Sequence, residues 1–187
     1  MTHYLNIHLL PDPELPSHVL MAALFNKAHH ALTGMNATAI GITFPEYRKD
    51  PAWLGTQFRM VGSINALQIM LERPWLGALR DYVRIGAIIQ IPENVEHRNL
   101  RRVQVKSSAA RLRRRQMKRH DLNETDALLQ IPDGVTEQLN LPYIQMRSGS
   151  SGQSFRLFLD LSEPQTSVNQ GAFNTYGLST TLTIPWF

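Results

Sequence analysis

The sequence predicts an α+β protein, because segments with the period of a strand alternate with segments with the period of a helix. Every second residue is apolar between Tyr4 and Leu9, as in a half-buried strand. Between Ser17 and Leu32 the apolar residues recur every three or four positions, as in a helix. A third observation is a cationic stretch at 108–120 that has strong helix formers and no glycine or proline.

The first half of the chain has elements in a recognisable order. A strand at 4–9 leads through the turn PDPELPS into a helix from Ser17 to about Leu32, which Thr33 and Gly34 end. Short strands follow near 39–44 and 58–62, then a helix at 64–72 and a strand at 83–91. The order β-α-β-β-α-β is typical of a ferredoxin-like domain.

The second half is less regular. The extended segment RRVQVKS precedes the basic helix at 108–120, and a short helix is predicted at 124–130. Strands are predicted at 143–146, 154–161 and 181–184. Because PENVEH at 92–97 is polar and turn-like, we expect a ferredoxin-like domain at 1–95 and a second αβ domain at 96–187.

The positive charge of the protein is concentrated in one segment. Nine of the 19 Lys and Arg side chains lie between Arg101 and Arg119, with no acidic residue among them. The rest of the chain keeps ten basic side chains against 15 acidic ones. A mildly acidic protein with one concentrated cationic element is the electrostatic footprint of a polyphosphate partner.

Helix geometry sorts these charges further. At about 100° per residue, five cations fall within an arc of about 140°: Arg111, Arg114, Arg115, Lys118 and Arg119. A solvated helix normally mixes positive and negative side chains, which pair at positions i and i+4. A helix with one purely cationic face is therefore better explained by a phosphate partner than by exposure to solvent alone. A membrane surface is also a poorer partner than phosphate, because the opposite face has few large apolar residues.

Composition excludes several classes of chemistry. The chain has no cysteine, which removes disulfide scaffolds, thiolate nucleophiles and Cys-type zinc sites. The histidines are not spaced from nearby carboxylates as metal ligands are. The acidic residues form no motif of paired carboxylates, which a two-metal nuclease would need. We therefore expect no metal and no cofactor. The polar N-terminus and the lack of a long apolar run predict a cytoplasmic protein without a membrane span.

Four segments resemble a known family. They are HYLNIHLLPDPELP at 3–16, RVQVKSSAARLRRRQMKRHDL at 102–122, RSGSSGQSFRLF at 147–158 and YGLSTTLTIPWF at 176–187. In this order they resemble the CRISPR repeat-processing endoribonuclease of the type I-F system, an antiviral defence enzyme. The resemblance is collinear over essentially the whole chain.

This resemblance implies a specific activity. A member of the family binds the hairpin of a CRISPR repeat transcript, cuts at the 3′ base of the stem and stays bound to the mature guide RNA. It also implies a ferredoxin-like domain followed by an RNA-binding αβ domain with an arginine-rich helix. The partners implied are the repeat RNA hairpin and the subunits of a type I-F surveillance complex.

The resemblance also assigns roles to residues. It makes His29 the general base, Ser148 the residue that positions the attacking 2′-hydroxyl, and Tyr176 a neighbour that helps fix the site. Phe155 would stack on the base pair that ends the stem, and Arg102 and Gln104 would read base edges. The five cations of the helix face would hold phosphates along the groove: Arg111, Arg114, Arg115, Lys118 and Arg119. His120 would reach the RNA from the end of the helix.

Without the resemblance, the residues leave alternatives open. His29 and His30 are adjacent, and periodicity cannot choose between them. Ser150 or Ser151 can substitute for Ser148, and Tyr176 and Phe155 are core aromatic residues by default. Two other functions also remain: a protein that caps a hairpin without cutting it, and a general basic-helix nucleic-acid protein whose affinity merely falls with salt.

Overall fold

Helices and antiparallel sheets make up the protein in the computed structural model, which describes residues 1–104, 109–132, 139–149 and 152–187. The α+β class predicted from the sequence is therefore confirmed. The contacts divide the chain into one unit of Met1–Val103 with Leu141–Phe187 and another of Gln104–Asn140. No helix among the described residues is long and apolar enough to span a membrane.

The first half folds into one sheet with two helices. The elements are β1 (His3–Leu9), α1 (Ser17–Gly34), β2 (Gly41–Thr43), β3 (Gln57–Gly62), α2 (Ile64–Glu72), a 3₁₀ helix (Gly77–Tyr82) and β4 (Val83–Gln90). The strand order is β2-β3-β1-β4, and every neighbouring pair is antiparallel. These predicted strands and helices are present, with ends that shift by up to a few residues.

The hydrophobic pattern explains this arrangement. In β1, Leu5 and Ile7 are fully buried, while Asn6 between them is only partly buried. Helix α1 buries one face, including Phe25 and Ala28. Phe25 lies against Phe44 and Phe58, with ring centroids 6.1 and 6.5 Å away. Each Å² of apolar surface removed from water stabilises the folded state by about 25 cal/mol. Because aromatic side chains bury large areas, this cluster contributes strongly to the stability of the fold.

The same unit carries two further sheets. Strands β6 (Leu100–Val103), β7 (Tyr143–Arg147) and β8 (Ser154–Leu161) pair in the order β6-β8-β7, and β5 (Glu96–Arg98) pairs with β9 (Ile184–Trp186). Helix α1 contacts β7. The Asn26 side chain fixes this contact, because its Nδ2 donates to the Gln145 carbonyl at 3.1 Å.

One predicted strand is misplaced. The sequence predicts a strand at 181–184, whereas β9 begins only at Ile184. The Ser179 hydroxyl accepts hydrogen bonds from the N–H groups of Thr181 and Leu182, at 3.2 and 3.0 Å. This side-chain turn offers the backbone an alternative to a sheet ladder.

The C-terminal segment docks closely on β2. The Ile42 N–H donates to the Gly177 carbonyl at 2.8 Å. A Cβ on Gly177 would lie 2.7 Å from Cγ1 of Ile42, and a Cβ on Gly41 would lie 2.4 Å from the Phe173 ring. Gly177 also has a φ of +68°, which L side chains rarely adopt. Two glycines therefore let this segment approach the first sheet.

The second unit contains the basic segment. Helix α3 (Ala109–His120) lies where the basic helix was predicted, and α4 (Glu124–Gln130) follows it. The Asn123 side chain caps α4 by accepting from the Asp126 N–H at 2.8 Å. Gln116 on α3 donates to Gln130 on α4, so the two helices contact each other.

We expect Gly177→Ala to lower the free energy of unfolding by about 1–3 kcal/mol, because the new methyl group meets Ile42 and the backbone is left-handed. Urea unfolding followed by circular dichroism measures this. The matched control is Gly34→Ala at the end of α1, where a Cβ meets nothing within 4 Å. Equal stability of the two variants would contradict the close docking of the C-terminal segment.

Candidate active site and nucleic-acid interface

His29 lies on α1, half-buried, with one ring nitrogen engaged. Its Nδ1 is 2.8 Å from the carbonyl oxygen of Thr175. A carbonyl oxygen can only accept, so Nδ1 carries the proton in this hydrogen bond. In the neutral ring Nε2 then keeps its lone pair and can accept a proton from a substrate.

The Tyr176 ring fixes the plane of the imidazole. The two rings are stacked, with centroids 4.0 Å apart and an interplanar angle of 8°. The Tyr176 ring also lies nearly parallel to the Phe25 ring at 6.3 Å, and Phe25 belongs to the aromatic core. The contacts with Thr175 and Tyr176 restrain the His29 ring from two directions.

The surroundings of His29 favour its neutral form. Burial lowers the pKa of His29 below the ordinary value of 6.5 and is the largest influence. The hydrogen bond to Thr175 acts in the opposite direction, and the neighbouring His30 lowers the pKa further. The imidazole is therefore neutral near pH 7, which is the state that a general base requires.

Arg102 and Phe155 lie next to this pair. Arg102 is on β6 and Phe155 on the neighbouring strand β8, and both are half-buried. The guanidinium carbon of Arg102 lies 5.4 Å from the Phe155 ring centroid and 5.9 Å from the Tyr176 ring centroid. The fold therefore brings together four of the predicted site residues, His29, Tyr176, Arg102 and Phe155.

The Arg102 side chain contains a polar group without a protein partner. Its Nε is buried and has no hydrogen bond in the part of the chain that the structure describes. Buried donors are normally satisfied, so such a group needs an explanation. A bound ligand that offers an acceptor atom would satisfy this group.

Ser148 lies at the end of β7, where the chain turns towards β8. Its N–H donates to the Gln153 carbonyl at 2.8 Å, and its carbonyl accepts from the Gly152 N–H at 2.9 Å. The turn therefore fixes the backbone of Ser148. Ser150 and Ser151, the alternatives for its role, lie outside the described residues.

The cations of the basic segment fall into distinct environments. Arg101 is paired with Asp160 at 2.8 Å, and Lys49 also contacts this carboxylate at 3.0 Å. Although burial alone would raise the pKa of Asp160, the hydrogen bonds and charges of Lys49 and Arg101 hold it below its ordinary value. Arg101 is therefore engaged within the protein.

The predicted phosphate-binding residues on α3 are exposed. These are Arg114, Arg115, Lys118, Arg119 and His120. Gln104 is exposed as well, whereas the side chain of Arg111 lies outside the described residues. Exposed guanidinium and ammonium groups on one helix can bind a row of phosphates.

Thr175 is the site residue that the sequence did not reveal. It contributes a backbone carbonyl, which every residue has, so its side-chain type gives no sign of this contact. The only signal was its position beside Tyr176.

The amino-acid sequence matches a known protein family. Residues 4–187 match the family model described as CRISPR-associated protein (Cas_Csy4), and the chain belongs to this family. A relative from Pseudomonas aeruginosa (strain UCBPP-PA14), named CRISPR-associated endonuclease Cas6/Csy4, is 44% identical over 187 residues, the full length of both chains. A relative of the same name from Escherichia coli (strain UTI89 / UPEC) is 40% identical over the same length.

We expect Tyr176→Ala to raise the pKa of His29 towards 6.5, because removing the ring exposes the imidazole and burial is the largest cause of the lowered value. Tyr176→Phe keeps the stacked ring and should keep the lowered pKa. An NMR titration of the His29 ring protons measures both. An unchanged pKa in Tyr176→Ala, with the fold intact, would contradict this account of the site.

Proposed function

We propose that the protein is an endoribonuclease that binds a CRISPR repeat hairpin, cuts at the 3′ base of the stem without a metal, and retains the product. The observation that carries this proposal is the state of His29. Its Nδ1 is bound to Thr175, its ring is stacked on Tyr176, and its Nε2 is left as a base. Membership of a family whose relatives are named CRISPR-associated endonucleases supports it.

The reaction uses a nucleophile that RNA itself provides. Nε2 of His29 removes the proton of the 2′-hydroxyl, and the oxygen attacks the adjacent phosphorus in line with the leaving group. The bond from phosphorus to the 5′ oxygen breaks, and that oxygen takes up a proton. The products are a 2′,3′-cyclic phosphate and a 5′-hydroxyl. Ser148 would orient the 2′-hydroxyl from the end of β7.

The neighbouring residues would recognise the end of the stem. Phe155 would stack on the terminal base pair, and stacking is worth about 1–3 kcal/mol per base. The guanidinium of Arg102 lies close to the Phe155 ring, and its bidentate fork would bind a guanine edge. Gln104 follows on the same segment and would read an adenine edge.

Helix α3 would supply most of the phosphate contacts. The exposed Arg114, Arg115, Lys118 and Arg119, together with Arg111, would carry the charge that neutralises phosphates along the stem, and His120 would reach the RNA from the end of the helix. Lys118 would act as a point charge, without the fork of an arginine. The family also implies subunits of a type I-F surveillance complex as partners.

The domain description belongs to the same proposal. The sheet order β2-β3-β1-β4, antiparallel throughout and covered by α1 and α2, supports a ferredoxin-like domain at 1–95. Residues 96–187 would then form the RNA-binding αβ domain with the arginine-rich helix.

We expect the protein to cleave an all-RNA repeat hairpin in EDTA, and to bind but not cleave a hairpin with one 2′-deoxy nucleotide just before the cut. His29→Ala should lower the single-turnover rate by about 10²–10⁴-fold, because it removes the general base. His30→Ala is the matched control, an exposed histidine beside the base, and should cleave within about threefold of the wild-type rate.

The outcomes separate the candidate functions. Tight binding with no cleavage of either hairpin would make the protein a hairpin-capping protein. Cleavage that stops in EDTA, or that survives in His29→Ala, would overturn the proposed mechanism. Equal affinity for unrelated duplexes would indicate a general nucleic-acid protein.

A further inference from the structure

Asn174 organises the turn that contacts the candidate base. Its side-chain Oδ1 accepts hydrogen bonds from the N–H groups of Tyr176 and Leu178, at 2.9 and 3.2 Å. Its own N–H donates to the Leu178 carbonyl, and its carbonyl accepts from the Gly177 N–H, both at 2.9 Å. Four hydrogen bonds of one residue therefore close the turn at 174–178. Asparagine is well suited to this, because its side chain mimics a backbone turn.

The two residues inside this turn are the ones that contact His29. Thr175 presents its carbonyl to Nδ1, and Tyr176 presents its ring to the imidazole. The far end of the turn is fixed by the hydrogen bond from Ile42 to Gly177. The near end is fixed by the Phe173 N–H, which donates to the Thr38 carbonyl at 2.9 Å. Between these two ends the Asn174 side chain holds the Tyr176 N–H, so the orientation of both contacts depends on that side chain.

The consequence for chemistry concerns the tautomer of His29. A neutral imidazole can carry its proton on either nitrogen, and only the form with a bare Nε2 presents a base there. The Thr175 carbonyl selects that form by accepting from Nδ1. If the turn opens, the proton is free to move to Nε2, and the ring loses its alignment with Tyr176.

We propose that Asn174 is a positioning residue for His29, which fixes the tautomer and the plane of the base through Thr175 and Tyr176. The inference rests on the proposed function and deepens it, since it names the side chain that keeps the base competent. Asn174 acts on His29 through its neighbours Thr175 and Tyr176.

Three variants test this at pH 8, where the His29 ring is neutral. Asn174→Ala removes the side-chain acceptor, whereas Asn174→Asp keeps an oxygen at the same position. Asn169→Ala is the matched control, an exposed asparagine of the C-terminal segment whose backbone N–H donates to the Thr183 hydroxyl and whose carbonyl accepts from the Thr183 N–H. Thermal unfolding establishes that each variant is folded.

The expected result is a loss of rate without a loss of affinity. Asn174→Ala should slow single-turnover cleavage by about tenfold or more, because small misplacements of a catalytic group are costly. Its Kd for the uncleavable 2′-deoxy hairpin should stay within about twofold. Asn174→Asp and Asn169→Ala should cleave within about threefold of wild type. Full rate in Asn174→Ala, or a rate loss matched by an equal affinity loss, would overturn the proposal.

A spectroscopic measurement distinguishes positioning from a general structural role. Nitrogen-15 NMR of the free protein should show His29 protonated at Nδ1 in wild type and Asn174→Asp, and a mixture of tautomers in Asn174→Ala. An unchanged tautomer in a folded Asn174→Ala would count against the proposal. This readout does not depend on cleavage, so it stands even if His29→Ala proves active and the proposed function fails.

If Asn174→Ala does not fold, Asn174→Thr replaces it. A threonine hydroxyl accepts the turn hydrogen bond more weakly, so an intermediate rate and a partial tautomer mixture are expected. Wild-type behaviour in both measurements would overturn the proposal.

Discussion

The hydrogen bond from His29 to the Thr175 carbonyl is the interaction on which the site depends. It joins the first helix to a segment near the C-terminus, 146 positions later in the sequence. The bond forms only if that segment lies directly on the first sheet, which the missing side chains of Gly41 and Gly177 permit. Packing that stabilises the fold therefore also decides which nitrogen of His29 is basic.

The strands and helices were largely predictable because their signals are local. Alternation in β1 and the helical period of α1 and α2 follow from which side chains meet the core. The prediction of a strand at 181–184 was wrong because the Ser179 hydroxyl binds the backbone N–H groups of Thr181 and Leu182 there. The pattern of apolar and polar residues does not show such a side-chain turn.

The site was only partly predictable, because its contacts are distant in sequence. The helical period did not separate His29 from the adjacent His30, and only the family resemblance chose between them. The structure distinguishes them physically, since His29 is half-buried and stacked on Tyr176 while His30 is exposed. The contact of the Thr175 carbonyl with His29, and the turn that Asn174 closes, could be found only in the folded structure.

The segment at 45–57, between β2 and β3, connects the first sheet to β8. The Tyr47 hydroxyl donates to the Leu159 carbonyl at 3.0 Å, and Lys49 pairs with Asp160. Leu159 is the ladder partner of Arg102. Because Asp160 also holds Arg101, adjacent residues of β6 have different environments: Arg101 stabilises the sheet, while Arg102 lies beside Phe155 and Tyr176.

The measurement that tests the central claim most directly is the pH dependence of kcat/KM for hairpin cleavage in EDTA, from about pH 4.5 to 8.5. A base whose pKa is lowered by burial is neutral above that pKa, so the rate should rise with pH, level off below pH 6.5 and stay constant through neutrality. A rate that is flat throughout, or that still climbs about tenfold per pH unit above pH 7, would contradict the assignment of His29 as the base.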